Sequence, residues 1–64
     1  MTETKVYKLH DSIHVETFTT SLGIEGIKHN VFEYEEYTAI EVTGTPLEII
    51  RASTIYQQAI AFKL

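Results

Sequence analysis

The absence of cysteine is the feature that most limits how this 64-residue chain can fold. Neither a disulfide nor a cysteine-ligated zinc ion can stabilise it, although both are common in small domains. For this length, apolar burial contributes on the order of 95 kcal/mol. Ordering the chain costs a similar amount, at roughly 1.5 kcal/mol per residue. Because the two contributions cancel, we expect one domain over residues 1–64 that gains stability as a homodimer or a higher oligomer.

The composition is that of a soluble globular protein. Hydrophobic residues make up 44% of the chain and charged residues 22%, which argues against disorder. The net charge is −4 and the five basic residues are scattered, which disfavours direct binding to nucleic acid. No apolar run is long enough to span a membrane, and the first residues lack the pattern of a secretory signal. We therefore expect a cytoplasmic protein.

The clearest local signal is the start of a C-terminal helix. Thr45 can cap the first backbone N–H groups, and Pro46 suits the first helical position. Glu48, three residues after the cap, can return a hydrogen bond to it. This pattern predicts a helix from about residue 46 to residue 62.

The predicted helix is apolar around most of its circumference. One broad side can face a sheet, and three further apolar residues lie beyond a polar strip: Leu47, Ile50 and Ala61. A helix of this kind is normally buried on all sides, which so small a monomer hardly achieves. We therefore predict that these three residues form the interface between copies of the chain. The alternative is that residues 20–30 cover this side of the helix.

The first half of the chain favours β-structure. Residues 4–10 and 13–19 mix β-branched, aromatic and polar residues, and the second segment alternates in polarity. Asp11 and Ser12 lie between them and can turn the chain through local hydrogen bonds. We therefore predict a β-hairpin over these two segments.

Residues 20–30 contain two glycines, which disfavour a regular helix and predict a loop or one helical turn. Residues 31–43 carry the strongest strand pattern, interrupted midway. They form either one long bent strand or two strands that meet in a tight turn near Glu35 and Glu36. The absence of glycine and asparagine at that point favours the bent strand.

Together these elements predict an α+β fold. A small antiparallel sheet of three or four strands, from residues 4–10, 13–19 and 31–43, packs on one C-terminal helix. The predicted core consists of Leu9, Val15, Phe32, Ile40, Val42, Ile49, Ala52, Tyr56 and Ile60.

The most distinctive surface feature is an acidic strand face with a tyrosine in it. On one strand, Glu33, Glu35 and Glu41 project to the same side, with Tyr37 among them. Tyrosine gives contact area at a low entropy cost, and carboxylates select a basic partner, so we predict a partner-binding surface. The alternative is a solvated strand face whose charges protect a sheet edge from aggregation.

The sequence gives little support for catalysis or for a metal ion. The three histidines are His10, His14 and His29. The first two can approach each other across the predicted turn beside Asp11, but exposed strand histidines are the more ordinary interpretation. No serine has a visible oxyanion motif near it. We therefore predict no catalytic residues, no metal site and no cofactor.

These observations predict a small acidic regulator or inhibitor that is not an enzyme and acts by binding another macromolecule as a homo-oligomer. In size, acidity and β-then-α order the chain resembles small accessory proteins of bacteriophages and mobile elements, which inhibit host factors or sequester signalling nucleotides. The alternative function is therefore to bind a small ligand such as a nucleotide at a subunit interface. Its four tyrosines can stack on a planar ligand. A phosphate can be held by Lys28, His29, Asn30 or Arg51.

Overall fold

The structure is a computed structural model and describes residues 1–62. Its elements in chain order are β1 (Glu3–Leu9), α1 (Ser12–Glu25), β2 (His29–Glu33), β3 (Thr38–Gly44) and α2 (Pro46–Ile60). The strands form one antiparallel sheet in the order β1-β3-β2, and the C-terminal helix packs on it. The predicted α+β class is therefore confirmed.

The central strand β3 organises the sheet. Ile40 and Val42 are fully buried on the face that the helices cover, and Ile40 lies opposite both Tyr7 of β1 and Val31 of β2. The two helices pack against each other and over β1 and β3. Val31 on β2 therefore stays exposed, although it points to the same face as Ile40.

Residues 12–25 form a helix, so the prediction of a strand over 13–19 is wrong, and residues 20–25 continue that helix where a loop or one helical turn was predicted. The helix begins where Asp11 Oδ1 accepts a hydrogen bond from the Ile13 N–H at 3.0 Å. Its buried face needs only Val15, Phe18 and Leu22, at the helical spacing i, i+3 and i+7. The alternation of polarity over 13–19 thus does not match the pattern of buried residues. Asp11 caps a helix instead of forming the turn of a hairpin.

The end of α1 is a glycine-dependent stop. Gly26 has a φ of 71°, in the left-handed region. Its N–H donates to the Gly23 carbonyl, and the Ile27 N–H donates to the Leu22 carbonyl at 2.9 Å. This pair of bonds is a Schellman motif, and it buries Ile27 against the core.

Residues 31–43 contain a hairpin, so the preferred prediction of one bent strand is wrong and the alternative of two strands is correct. Glu33 pairs with Thr38, which leaves the four residues 34–37 as the connection. The Tyr34 N–H donates to the Tyr37 carbonyl at 2.9 Å and closes the turn. No residue of this connection has a positive φ, which is why the turn forms without glycine or asparagine.

The start of α2 agrees with the prediction. Thr45 Oγ1 accepts from the Glu48 N–H at 3.3 Å, and Glu48 Oε1 accepts from the Thr45 N–H at 2.9 Å. This is a complete capping box, with Pro46 in the first turn. The helix ends at Ile60, two residues before the predicted end.

Eight of the nine predicted core residues lie in the core or pack against it, but the core also contains six residues that were not predicted: Tyr7, Phe18, Leu22, Ile27, Ile55 and Ala59. Leu9, Ile40, Val42 and Ala52 are buried, and four further predicted residues pack against them while half-buried: Val15, Ile49, Tyr56 and Ile60. Phe32 is 45% exposed, so its predicted burial is wrong. It pairs with Ala39, on the sheet face opposite the helices.

An aromatic group at the centre of the core was not predicted. The Tyr7 ring lies 5.1 Å from Phe18 and 4.6 Å from Tyr56, measured between ring centroids. Tyr7 is buried, and its hydroxyl has no hydrogen-bond partner among the described residues. Its ring thus contributes packing, while its hydroxyl costs free energy.

Candidate functional site

A small open cavity lies where β1 ends, α1 begins and the β2–β3 connection turns. It is lined by residues 34–38, by Leu9 and His10, and by Ser12 and Val15 of α1. We call it the turn cavity. Its volume is about 140 Å³. This is close to the roughly 150 Å³ of a protein cavity that accommodates benzene, and below the roughly 300 Å³ of pockets for small-molecule ligands.

Three of the residues that line this cavity carry rings: Tyr34, Tyr37 and His10. Tyr34 and Tyr37 lie 5.1 Å apart between ring centroids, with 35° between their planes. His10 lies 6.3 Å from Tyr37. The Lys8 ammonium lies over the Tyr37 ring, 5.1 Å from its centroid. The Tyr37 ring therefore already attracts a cation from its own chain.

The turn is tied to the start of α1. His10 Nδ1 lies 3.2 Å from the Glu36 carbonyl oxygen, so the tautomer with its proton on Nδ1 donates a hydrogen bond to it. Asp11, the next residue, caps α1. A helix cap and a closed turn thus hold two sides of the cavity in place.

The predicted acidic face is not a single face. Glu33 pairs with Thr38, so it shares the side of the sheet that faces the helices. Glu41 pairs with Asn30 on the other side, where Asn30 Nδ2 donates to Glu41 Oε1 at 3.4 Å. Glu35 lies in the turn. The prediction that the three carboxylates project together is wrong, because the chain forms a hairpin between them.

The structure does bring three of the predicted partner-binding residues to one end of the molecule. Glu33 ends β2, Glu35 is exposed in the turn, and Tyr37 is half-buried beside the cavity. Glu36, which the prediction omitted, adds a further exposed carboxylate there. Tyr34, Lys8, His10 and Ser12 were also missed as part of this site.

The predicted oligomer residues lie on the outer side of α2. Leu47 is 78% exposed and Ile50 is 63% exposed, although α1 packs along another side of the same helix. Ala61, directly after the helix, is exposed as well. Exposed Thr54 and Gln57 complete a stripe with alternating spacings of three and four residues. We call these five residues the α2 stripe.

The charged neighbours of the α2 stripe are engaged elsewhere. Arg51 Nε lies 2.9 Å from Glu25 Oε1, in a bond from α2 to the end of α1. This hydrogen bond, and the attraction of the guanidinium, lower the pKa of the Glu25 carboxyl. Glu48 is held in the capping box. The stripe itself consists of uncharged residues, and these two charged neighbours are held by other contacts.

The histidines are spread over the molecule. His14 Nε2 lies 3.3 Å from the Phe62 carbonyl oxygen, and His29 Nδ1 lies 2.9 Å from that of Ile27. Within residues 1–62, no three histidine, aspartate or glutamate side chains are grouped so that they could hold a metal ion. Neither described helix has the length and apolar character needed to cross a membrane.

Comparison of the chain with protein-family models, with curated proteins and with solved structures gives no match.

Proposed function

We propose that this protein is a non-enzymatic regulator or inhibitor that binds a basic segment of another macromolecule at the turn cavity, as a homodimer formed through the α2 stripe. The observation that carries the proposal is the cavity itself, in which two tyrosine rings lie beside exposed carboxylates. A volume of about 140 Å³ suits one inserted side chain better than a nucleotide. A site of this size recognises a residue within a larger binding surface.

The charge at this end of the molecule selects the kind of partner. Glu33, Glu35 and Glu36 are exposed within four successive positions. Among residues 1–62, none of the three takes part in a salt bridge. Exposed carboxylates on a protein of net charge −4 attract a basic partner and raise its association rate.

A titration followed by NMR tests this function. The labelled protein is mixed with a short Gly/Ser peptide that carries lysine and arginine, and separately with the same peptide carrying glutamate. We expect shifts in the amides of residues 34–38 and of His10 with the basic peptide alone. Glu35→Gln together with Glu36→Gln should weaken the binding, whereas Glu16→Gln, on an exposed position of α1, serves as the control. Equal weakening by the control, or no shift at all, would contradict the proposal.

The dimer proposal rests on the character of the α2 stripe. Spacings of three and four residues place its members on one seam, as in paired helices. The seam is apolar at Leu47, Ile50 and Ala61 and carries no charge, so a second uncharged seam complements it. A two-fold axis lets the same seam serve both copies.

Light scattering tests the dimer. We expect a mass near twice 7.3 kDa at micromolar concentration for the wild-type chain. Ile50→Lys places a charge in the contact and should give a monomer. Ile24→Lys is the matched control, because Ile24 is also exposed, at 79%, but lies on α1. A wild-type mass near 7.3 kDa would refute the dimer.

A further inference from the structure

We propose that the turn cavity takes the guanidinium group of an arginine in the partner, and that the charge of Lys8, which lies over the Tyr37 ring but outside the cavity, weakens that binding. The inference rests on the proposed function and narrows it from basic segments in general to one residue type. Lysine and arginine carry the same charge, so the distinction depends on the shape of the site and on its acceptors.

The exposed tyrosine of the cavity suits a flat group. The rings of Tyr34 and Tyr37 lie 5.1 Å apart and pack on each other, so nothing fits between them, but Tyr34 is 57% exposed and leaves part of its ring free for stacking. A guanidinium is planar, weakly hydrated and stacks on aromatic faces. An ammonium is a compact, strongly hydrated charge that gives up more hydration to enter the same space.

The rim of the cavity offers several acceptors at different directions. Glu35 and Glu36 contribute exposed carboxylates from the turn, and Ser12 contributes a hydroxyl from the first turn of α1. None of these three side chains forms a hydrogen bond with another residue in the range 1–62. A guanidinium has five N–H donors in a fixed fork and can reach acceptors on both sides at once. The three donors of an ammonium lie around a single atom.

Lys8 shows that the Tyr37 ring attracts a cation and also limits how strongly it can attract another. Its ammonium lies 5.1 Å from the ring centroid, but Lys8 is not among the residues that line the cavity. It therefore leaves the space open while its charge opposes that of an incoming guanidinium. Removal of the Lys8 charge should make the site bind arginine more tightly.

The chain contains a matched control for this effect. The Lys5 ammonium lies 5.2 Å from the centroid of the Tyr7 ring. Lys5 is on strand β1, as Lys8 is, but the two lysines lie on opposite faces of the sheet. Lys5→Gln and Lys8→Gln each remove one positive charge and one contact between a cation and an aromatic ring. The two variants therefore make the same change in charge and in type of contact, but at different rings and on opposite faces of the sheet.

The test compares otherwise identical Gly/Ser peptides that carry one arginine, one lysine or one citrulline, by fluorescence anisotropy and NMR. We expect the arginine peptide to bind about two- to fivefold more tightly than the lysine peptide, from the typical strength of such ring contacts. The citrulline peptide, which lacks the charge, should bind most weakly. Lys8→Gln should raise the affinity for the arginine peptide by a similar factor, and by more than Lys5→Gln does.

Two ring variants locate the preference. Tyr34→Leu and Tyr37→Leu keep an apolar side chain but remove the aromatic face, and each should abolish the difference between arginine and lysine. Tyr37 is half-buried, so a thermal melt checks that the Tyr37→Leu variant is folded. If that variant is unfolded, Tyr34→Leu still gives an independent result, because Tyr34 is exposed.

The outcomes separate this inference from the proposed function. Equal binding of arginine and lysine peptides at residues 34–38 overturns the arginine preference and leaves the basic-partner function standing. Absence of binding by either peptide overturns both. Equal effects of Lys5→Gln and Lys8→Gln overturn the role of Lys8. If N-acetyl-arginine amide binds as tightly as the peptide, the ligand is a free small molecule and the inference of a macromolecular source is wrong.

Discussion

Gly23 in α1 and Gly26 directly after it offer a direct test of the fold, because the same substitution should have opposite effects at each. Gly23 lies within the helix, and a Cβ atom added there meets nothing within 4 Å. Gly26 follows the helix with a φ of 71°, and a Cβ there also meets nothing within 4 Å. Steric clash is therefore absent at both positions, and only backbone conformation distinguishes them.

The magnitudes follow from that conformation. Gly23→Ala should stabilise the protein by roughly 0.5–1 kcal/mol, because alanine loses less backbone entropy in a helix. Gly26→Ala should destabilise it by roughly 1–2 kcal/mol, because a side chain is strained in the left-handed region. One kcal/mol corresponds to about 4–8 °C in melting temperature for a domain of this size. Gly26→Asn should lose less than Gly26→Ala, since asparagine tolerates this conformation better.

The assay is thermal unfolding followed by far-UV circular dichroism, at one protein concentration because oligomerisation shifts the melting temperature. We expect the two alanine variants to melt on opposite sides of the wild type. If Gly23→Ala lowers the melting temperature, residues 12–25 are not a continuous helix, and the strand and loop predicted from the sequence regain support. If Gly26→Ala is neutral, the helix does not end in the left-handed turn.

Three further predictions concern single interactions. Thr45→Ala removes one half of the capping box with Glu48 and should cost about 1 kcal/mol, seen as a lower melting temperature; an unchanged melt would mean that the cap does not hold the helix. Tyr7→Phe removes a buried hydroxyl without a described partner and should be neutral or stabilising in urea unfolding, whereas a clear loss would reveal a partner. The lowered pKa of Glu25 means that its bond to Arg51 stabilises the fold above the ordinary carboxyl pKa of 4.5 and is lost as the pH falls through the lowered value. As the pH falls from about 6 to about 3, the Arg51→Gln variant should therefore lose less stability than the wild type does, and added salt should reduce this difference between the two proteins.

The parts of the fold that the sequence predicted correctly are those encoded by neighbouring residues. The start of α2 depends on Pro46 and on the pair Thr45 and Glu48, whose hydrogen bonds to each other span three positions. The predicted first strand agrees with β1 within one residue at each end. Interactions of this range can be recognised without knowing what packs against them.

Helix α1 was missed because its pattern is weak and its signals conflict. Only Phe18 and Leu22 are fully buried within it, so most of its residues give no helical periodicity. Its β-branched residues and Gly23 favour other structures. The sequence contains the cap at Asp11 and the stop at Gly26 and Ile27, but Asp11 followed by Ser12 equally predicts a turn. The helix is stable because its narrow apolar face packs against α2 and the sheet, which is long-range information.

The candidate site depends on strand pairing in the same way. The connection between β2 and β3 has four residues, so odd-numbered residues of β2 pair with even-numbered residues of β3. Glu33 and Glu41 would share a side on one continuous strand, but the hairpin places them on opposite sides of the sheet. The same turn gathers Glu33, Glu35 and Tyr37 at one end, where β1 brings His10 and Lys8 beside them. The residues of the site could thus be selected from the sequence, but their arrangement as a cavity, and the cation already on Tyr37, follow only from which strands pair.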